Sequence, residues 1–420
     1  TPNELTSYVS DNLRGDPGTT CVLKLERPTA DSTYIPMELK ITRGTIRTNP
    51  VPYYGMVDKN IGYIAISTFA IEGCSKDIKK ALIELKQQGA TSIVLDLRGN
   101  GGGLLSEAVN VVNFFVPKGK EIVVTKGKIK QAGSTYKTSN EPIDMEIPLT
   151  VLVDGATASA AEIVSGSLQD LDRAVIVGNR TYGKGLVQVP RELPYNSSMK
   201  VTTAKYYIPS GRCIQAIDYA KRNADGSVAR IPDSLTTVFH TAAGREVRDG
   251  GGIRPDVEVK AERFPNIMFY LLNDDMIFDY ATQYCIKHPN IGEVKDFSVT
   301  DADYDDFKQM LKKRNFTYDR QSEKSLKNLK EIAEFEGYME GASEEFAALE
   351  KKLTHNLDHE LNRFSKQIRK AIAEEIVKRH YFQRGVILER MKDDANLTKA
   401  IETLKDKEGY TKILSVPADK

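Results

Sequence analysis

Residues 154–188, DGATASAAEIVSGSLQDLDRAVIVGNRTYGKGLVQ, are the stretch that decides the fold. Within it, a run of small residues around Ser159 follows the apolar segment LTVLVD and precedes a helical pattern. The strand-like segment AVIVG comes next, and Lys184 follows it between two glycines. Strand, helix and strand in this order indicate an α/β core. We expect Ser159 and Lys184 to meet in space and to form a serine–lysine catalytic pair.

Ser159 is a candidate nucleophile because it stands where a predicted strand turns into a helix. Backbone N–H groups at a helix N-terminus have no partner inside the helix, so they can stabilise an oxyanion that develops beside the serine. The same position is also the usual place of a serine that caps a helix. Taken alone, the motif leaves both interpretations open.

Lys184 is a candidate general base, a role that a lysine can play only in its neutral form. The flanking Gly183 and Gly185 let other backbone segments come close and enclose the side chain. Residues 178–184, GNRTYGK, also fit the GxxxxGK pattern of a phosphate-binding loop. That loop requires Ser or Thr next and then a helix, whereas Gly185 and a strand-like segment with a proline follow. We therefore expect no nucleotide.

A glycine-rich run, GNGGG at 99–103, follows the apolar segment TSIVLDL and precedes another helical pattern. It is a candidate dinucleotide loop, but the third glycine of the GxGxxG fingerprint falls on Leu104. N–H groups in such a loop can equally form an oxyanion hole. The residues themselves leave this choice open.

The composition of the 420-residue chain excludes several classes of protein. Its 59 Lys and Arg residues nearly balance 58 Asp and Glu residues, and the net charge of +1 gives no electrostatic footprint for a nucleic acid. A membrane span needs about 18 consecutive apolar residues, and the sequence has no such run. The length suits two or three domains.

Metal-ligating residues do not form a known pattern. The four cysteines are scattered without a CxxC pair, which argues against a zinc site. His355 and His359 are one helical turn apart, but a HExxH motif would have glutamate where Asn356 stands. His240 is the one histidine in the α/β region, and no nearby residue marks it as the base of a Ser–His–Asp triad. We expect neither a metal nor a cofactor.

Three regions follow from the changes in pattern along the chain. Residues 1–43 contain one helical segment and two strand-like segments. Residues 44–262 alternate strands and helices. From 263 onward glycine becomes rare, Lys and Glu become frequent and long helical periodicity appears, so residues 263–420 are predicted to be a helical C-terminal domain.

Five motifs occur in one order in the α/β region and closely resemble the C-terminal processing (tail-specific) peptidases of the serine–lysine type: DLRGNGGGLL, VLVDGATASAAEIVSGSLQD, RAVIVGNRTYGKGLVQ, TAKYYIPSGRCIQ and GGGIRPDVEV. The resemblance covers about residues 1–260 and implies a crotonase-like α/β core. It implies that Ser159 is the nucleophile, that Lys184 is the base and that Gln188 orients the lysine. The oxyanion hole is expected from the N–H groups of Gly102, Gly103 and Ala160, with Asp170 as a candidate supporting residue.

The same resemblance implies the setting of the enzyme. Residues 1–43 resemble the C-terminal half of a PDZ domain, and the helical region resembles extensions in members from the Bacteroidetes. The implied activity is a serine endopeptidase that cleaves proteins or peptides with accessible C-termini, in an extracytoplasmic, periplasmic or cell-envelope location. The helical domain is expected to support a homo-oligomer or an adaptor. The alternative is a catalytically silent peptide-binding scaffold of the same fold.

Overall fold

The computed structural model describes residues 2–29, 33–128, 133–222, 228–260, 262, 264–353 and 356–415. The chain divides into two compact units. One comprises Thr1–Ile46 and Glu262–Asp393, and the other comprises Arg47–Ala261 and Asp394–Lys420. The predicted regions 1–43, 44–262 and 263–420 remain a prediction as domains, but the structure groups the last stretch of the chain with the α/β region.

The first segment is a helix followed by a hairpin, α1 (Pro2–Leu13), β1 (Thr20–Pro28) and β2 (Tyr34–Thr42). The two strands pair antiparallel along their whole length. Arg43 ties the helix to the hairpin, because its guanidinium donates to the backbone oxygens of Asn12 and Leu13, each at 2.8 Å.

In the rest of the chain, strands and helices are interspersed up to residue 258, and the regular elements from residue 266 onward are helices. The strands are β3 (Tyr53–Asp58), β4 (Ile61–Ala65), β5 (Ser92–Asp96), β6 (Glu121–Gly127), β7 (Ser134–Lys137), β8 (Leu149–Val153), β9 (Val175–Gly178), β10 (Leu186–Leu193), β11 (Ser197–Tyr207), β12 (Ile217–Arg222), β13 (Val228–Arg230), β14 (Val238–His240), β15 (Glu246–Arg248) and β16 (Val257–Glu258). The helices are α2 (Cys74–Gln87), α3 (Leu105–Val112), α4 (Ala160–Asp170), α5 (Asn266–Asn273), α6 (Met276–Lys287), α7 (Asp301–Lys313), α8 (Gln321–Phe335), α9 (Met339–Leu353), α10 (Leu357–Arg363), α11 (Ser365–Met391), α12 (Ala395–Lys405) and α13 (Lys407–Leu414).

A six-stranded sheet with the order β16-β9-β8-β5-β4-β3 is the centre of the larger unit. β3 pairs antiparallel with β4, and the other neighbours pair in parallel. β8 therefore lies between β5 and β9. Since parallel strands end at the same sheet edge, the segments that follow β5, β8 and β9 lie side by side. These are the three segments that carry the sequence motifs.

Both faces of this sheet are covered, which explains the continuous apolar runs in β5 and β8. Leu95 and Val151 belong to a core that they share with side chains of α2, α3 and α4. Their neighbours Val94 and Leu152 point to the opposite face by strand alternation. α12 packs against β8, β5 and β9 and buries Leu397, Ala400 and Leu404. The C-terminal helices are thus part of the α/β unit, although the sequence predicts them as part of the helical domain.

A second sheet, β10-β11-β6-β7, is antiparallel throughout. β10 begins two residues after Lys184 and forms a long hairpin with β11. A bulge between Val187 and Gln188 interrupts their register. At the tip, Tyr195 and Asn196 have positive φ angles of 61° and 53°, as a tight hairpin turn requires.

The helices α5, α6, α7, α10 and α11 form a second hydrophobic core, so the predicted mixed α/β part and helical part are both present. Phe307, Leu311, Ile372 and Ile376 are fully buried in that core. α11 contains one non-helical residue, Phe382, with φ 53° and ψ −151°. Within the part of the chain that the structure describes, none of the helices has the length and the apolar composition needed to cross a bilayer.

Candidate active site

Three loops converge at the carboxyl edge of the central sheet, one after each of β5, β8 and β9. The N–H of Ala158, in the loop after β8, donates to the carbonyl oxygen of Asn100 in the loop after β5 (2.9 Å). On its other side, the N–H of Tyr182, in the loop after β9, donates to the carbonyl oxygen of Thr157 (3.0 Å). The strand order thus brings the glycine-rich run and Lys184 to either side of Ser159.

Ser159 occupies the turn between β8 and α4 in a strained backbone conformation, with φ 57° and ψ −119°. An ordinary capping serine has extended, negative-φ geometry. Positive φ at a residue with a side chain costs on the order of 1–3 kcal/mol, and such strain is concentrated at functional sites. In the α/β-hydrolase fold, a strained turn from strand to helix exposes the nucleophilic serine. The conformation therefore favours the nucleophile interpretation over the simple cap.

The carboxylate of Glu162 joins Ser159 to Lys184. Its Oε2 accepts hydrogen bonds from the backbone N–H groups of Ser159 (2.8 Å) and Lys184 (2.9 Å). Its Oε1 accepts from the N–H of Gly183 (2.7 Å) and from Oγ1 of Thr181 (2.5 Å). Burial raises the pKa of Glu162, and these four hydrogen bonds act against that rise. One buried side chain thus holds the backbones of both predicted catalytic residues.

The hydroxyl of Tyr206 joins the same two residues from the carbonyl side. It lies 3.3 Å from the carbonyl oxygen of Ser159 and also contacts the carbonyl oxygen of Lys184. The side chain is 2% exposed, and burial together with the charge of Glu162 raises its pKa well above the ordinary value. The hydroxyl therefore keeps its proton and remains a donor. Ser159 and Lys184 are consequently held at both their N–H and their C=O groups.

Two N–H groups, one in the loop after β5 and one at the start of α4, are without an acceptor in the described part of the chain. Among the described residues, no acceptor bonds to the N–H of Gly103 or of Ala160. Gly102 was also expected to donate, but its N–H is engaged with Oδ1 of Asn100 (2.9 Å). Its role here is steric, since a Cβ at this position would lie 2.8 Å from Cβ of Ser159. At φ 94°, glycine lets the loop pack directly against the serine.

Residues 60–221, which include all three loops, match the family model of peptidase family S41. The α/β part of this chain is therefore similar to peptidase family S41. Residues 267–404 match a second model, described as the C-terminal helical domain of a probable PDZ-protease. The two matches coincide with the α/β part and with most of the helical part of the structure.

Several curated proteins that are similar to this chain are named as C-terminal processing proteases. The carboxy-terminal-processing protease of Bartonella bacilliformis is 38% identical over 213 residues, which are 49% of this chain and 47% of that protein. The carboxyl-terminal-processing protease of a Picosynechococcus species is 40% identical over 200 residues, 47% of this chain and 46% of that protein. For the processing protease CtpA of Bacillus subtilis the values are 36% over 202 residues, 48% and 42%. The chain spans about half the length of the curated relatives it matches.

Gln188, predicted to orient the lysine, is exposed, and among the described residues it makes no hydrogen bond to Lys184. A bulge between Val187 and Gln188 interrupts the strand alternation at this point. Gln215 contacts the lysine segment, since its Oε1 accepts from the N–H of Gly185 (2.7 Å). The sequence signal for Gln215 was its place at the end of the motif TAKYYIPSGRCIQ.

Asp170, the candidate supporting residue, lies at the opposite end of α4 from Ser159. It forms a buried ion pair with Arg212 (2.8 Å) and accepts from the N–H of Ser210 (3.0 Å). Burial raises the pKa of Asp170, and the positive charge of Arg212 acts against that rise. This geometry indicates that Asp170 holds the segment after β11 against α4 and does not act on the reacting atoms.

The described residues contain no cluster of three or more His, Cys, Asp or Glu side chains that could hold a metal ion. His359 is exposed on α10, and His355 lies outside the described residues. A phosphate would need free N–H groups in the loop after β9, but those of Gly183 and Lys184 already donate to Glu162. The buried carboxylate of Glu162 thus accepts the N–H groups that a bound phosphate would need.

Proposed function

We propose that this chain is the catalytic part of a serine endopeptidase that cleaves proteins at or near their C-termini, with Ser159 as nucleophile and Lys184 as general base. The observation that carries the proposal is the shared anchoring of the two residues by Glu162. The similar curated proteins that are named as C-terminal processing proteases support the choice of substrate.

The proposed reaction is acyl transfer through an acyl-enzyme. Neutral Lys184 takes the proton of the Ser159 hydroxyl, and the serine oxygen attacks the carbonyl carbon of the scissile peptide bond. The N–H groups of Gly103 and Ala160 stabilise the oxyanion. Protonated Lys184 then donates to the leaving amine as the C–N bond breaks, and water hydrolyses the ester that remains. Gln188 is kept as a residue that could contact Lys184 once substrate is bound.

The test is cleavage of an unfolded polypeptide by the wild-type chain and by Ser159→Ala and Lys184→Ala variants. We expect each substitution to lower kcat by at least about 1,000-fold, since the loss of either partner removes the same step. Ser198→Ala and Lys205→Ala are matched controls on the exposed side of β11, and they should cleave like the wild type. Cleavage that survives both catalytic substitutions would rule out the proposed pair. A stable protein that cleaves nothing would favour the silent peptide-binding scaffold.

The preference for C-termini has its own test. The same polypeptide is offered with a free C-terminus and with its C-terminus fused to a stably folded domain. If the enzyme needs access to a chain end, fusion should slow cleavage strongly while the products of the free chain begin close to its C-terminus. Equal cleavage of both substrates would contradict C-terminal processing and leave a general endopeptidase.

The finer architecture belongs to the same proposal. We propose that the α/β unit has the crotonase-like fold of the peptidases that the motifs resemble, and that residues 1–43 are the C-terminal half of a PDZ-like domain. The helix and hairpin at 2–42 are in keeping with such a half-domain. The regions 44–262 and 263–420 would be the protease core and the helical domain, with α12 and α13 packed on the core.

The proposed peptidase function also implies partners and a location for the protein. The substrates would be proteins or peptides with accessible C-termini, and the helical domain would serve a homo-oligomer or an adaptor. We propose an extracytoplasmic location, periplasmic or at the cell envelope. Fractionation of cells that express the full-length protein would test it, and recovery with cytoplasmic markers would contradict it.

A further inference from the structure

Arg98, the first residue of the glycine-rich loop, binds two carboxylates that are far apart in sequence, those of Asp96 and Asp394. Its Nη1 and Nη2 donate to the two oxygens of Asp394 at 3.0 and 2.7 Å. Its Nε donates to both oxygens of Asp96 at 3.0 and 3.1 Å. The pair with Asp394 is bidentate, the geometry in which Arg–carboxylate bonds are strongest and most directional.

Asp394 is itself firmly placed. Its Oδ1 accepts from the N–H groups of Asn396 and Leu397, each at 3.0 Å, so it caps α12. Its side chain is 9% exposed, and that of Arg98 is 22% exposed. Burial acts to raise the pKa of Asp394, but the hydrogen bonds and the charge of Arg98 outweigh burial and hold the pKa below its ordinary value. The carboxylate is therefore charged at neutral pH and shielded from water.

The loop held by Arg98 is the one that supplies the free N–H of Gly103. Other hydrogen bonds also hold this loop, since the N–H of Gly99 donates to Oδ1 of Asp154 (3.0 Å) and Nδ2 of Asn100 donates to the carbonyl oxygen of Ile66 (2.8 Å). At the other end of the loop, the N–H of Phe69 donates to the carbonyl oxygen of Gly102 (2.9 Å). The guanidinium of Arg98 connects the loop to the C-terminal segment through its hydrogen bonds to Asp394. Without Asp394, Nη1 would lose its acceptor, and Asp96 alone would hold the side chain.

We propose that Asp394 is a positioning residue for the oxyanion hole: by fixing Arg98 it fixes residues 98–103, and catalysis depends on the C-terminal segment 394–414. This inference rests on the proposed peptidase function. An oxyanion hole works only when its donors are within a fraction of an ångström of the developing charge, and a displacement of about 1 Å can cost about 100-fold in rate.

The test compares Asp394→Asn with Asp406→Asn in the full chain. Asparagine caps a helix about as well as aspartate, so Asp394→Asn keeps the cap of α12 and removes the charged, bidentate acceptor. Asp406 caps α13 through the N–H of Gly409 (2.9 Å) and pairs with no arginine among the described residues. We expect Asp394→Asn to lower kcat by about tenfold or more, with KM nearly unchanged. The unfolding midpoint should fall as well, because the charged carboxylate of Asp394 stabilises the fold. Asp406→Asn should leave kcat as in the wild type.

Hydrogen exchange gives a second readout that needs no activity. In Asp394→Asn the amides of 98–104 should exchange faster than in the wild type, and in Asp406→Asn they should not. Unchanged exchange and unchanged kcat in Asp394→Asn would overturn the inference, as would a lower unfolding midpoint with wild-type kcat. If the wild-type chain cleaves nothing, the proposed function fails on its own, and the exchange rates still decide whether Asp394 holds the loop.

Discussion

Ser159 and Lys184 are placed through their peptide groups by two buried side chains that the sequence reasoning did not single out. Glu162 takes their N–H groups and Tyr206 lies at their C=O groups. The catalytic pair stays a prediction, which rests on two local patterns, a serine at a strand-to-helix turn and a lysine between glycines. Glu162 also has a local signal, because Ser159 and Glu162 have the S-x-x-E spacing of a capping box. The bonds of Glu162 and Tyr206 to Lys184 could not be found that way, since each spans 22 positions and depends on burial that only the fold provides.

Tyr206→Phe tests this arrangement at the level of one atom. The change removes the hydroxyl and keeps the ring, so we expect a loss of about 0.5–1.5 kcal/mol in the free energy of unfolding, as for one hydrogen bond. We expect kcat to fall more than that loss of stability explains, by about tenfold, because both catalytic residues lose a common support.

Steady-state kinetics and chemical denaturation measure the two effects of Tyr206→Phe separately. Tyr207→Phe is the matched control, since Tyr207 is the next residue and its ring lies under Nζ of Lys126 at 4.7 Å. Equal effects of the two substitutions on kcat would show that the hydroxyl of Tyr206 has no special role.

At the scale of helices and strands, the prediction of an α/β core succeeded because its strands are continuous apolar runs and its helices carry one apolar face. The sequence does not show where α12 packs, because by its pattern it is one more amphipathic helix among many. A pattern shows that a helix buries one face, but it does not show against which partner. The role of Gln188 stays a prediction, and the bulge beside it in β10 could not be read from the sequence.

Leu397→Ala tests the place of α12 on the central sheet. Leu397 is 4% exposed, and removal of a buried leucine side chain costs about 2–5 kcal/mol. We expect the transition of the α/β unit to move to lower denaturant. Because the chain has no tryptophan, far-UV circular dichroism and hydrogen exchange in β5 and β8 are the suitable probes.

The control for Leu397→Ala is Leu349→Ala, at a leucine of α9 that is 42% exposed. This substitution should change the free energy of unfolding by no more than about 0.5 kcal/mol. Faster exchange confined to α5–α11 in Leu397→Ala, with β5 and β8 unaffected, would contradict the packing of α12 on the sheet.

For the molecule as a whole, we expect acid to lower the free energy of unfolding of the α/β unit, because the fold stabilises the charged form of some of its carboxylates. Asp144 is one of them: burial acts to raise its pKa, but the hydrogen bond to Lys86 and those from the N–H groups of Ile147 and Glu146 hold it below the ordinary 3.8. A group with a lowered pKa contributes its full stability above the unfolded-state value and loses it as the pH falls through the folded-state value.

The expected result is a pH-dependent gap between the wild type and Asp144→Asn. The difference in free energy of unfolding should be constant from about pH 6 to 7 and should shrink below about pH 4, where Asp144 becomes protonated in the unfolded and then in the folded chain. Denaturant titrations at a series of pH values measure it. Asp218→Asn is a comparison at a half-buried aspartate of β12. A gap for Asp144→Asn that widens toward low pH would show that the sign is wrong.

The contact between Asp394 and Arg98 also determines when the candidate site is completed during synthesis on the ribosome. The two residues are 296 positions apart, so the arginine leaves the ribosome long before its partner exists. At about 5–20 residues per second, the delay is roughly 15–60 s. During that interval the nascent chain carries Ser159 and Lys184 but not the contact that steadies the oxyanion loop. The loop at 98–103 therefore gains its contact with Asp394 only after residue 394 has been made.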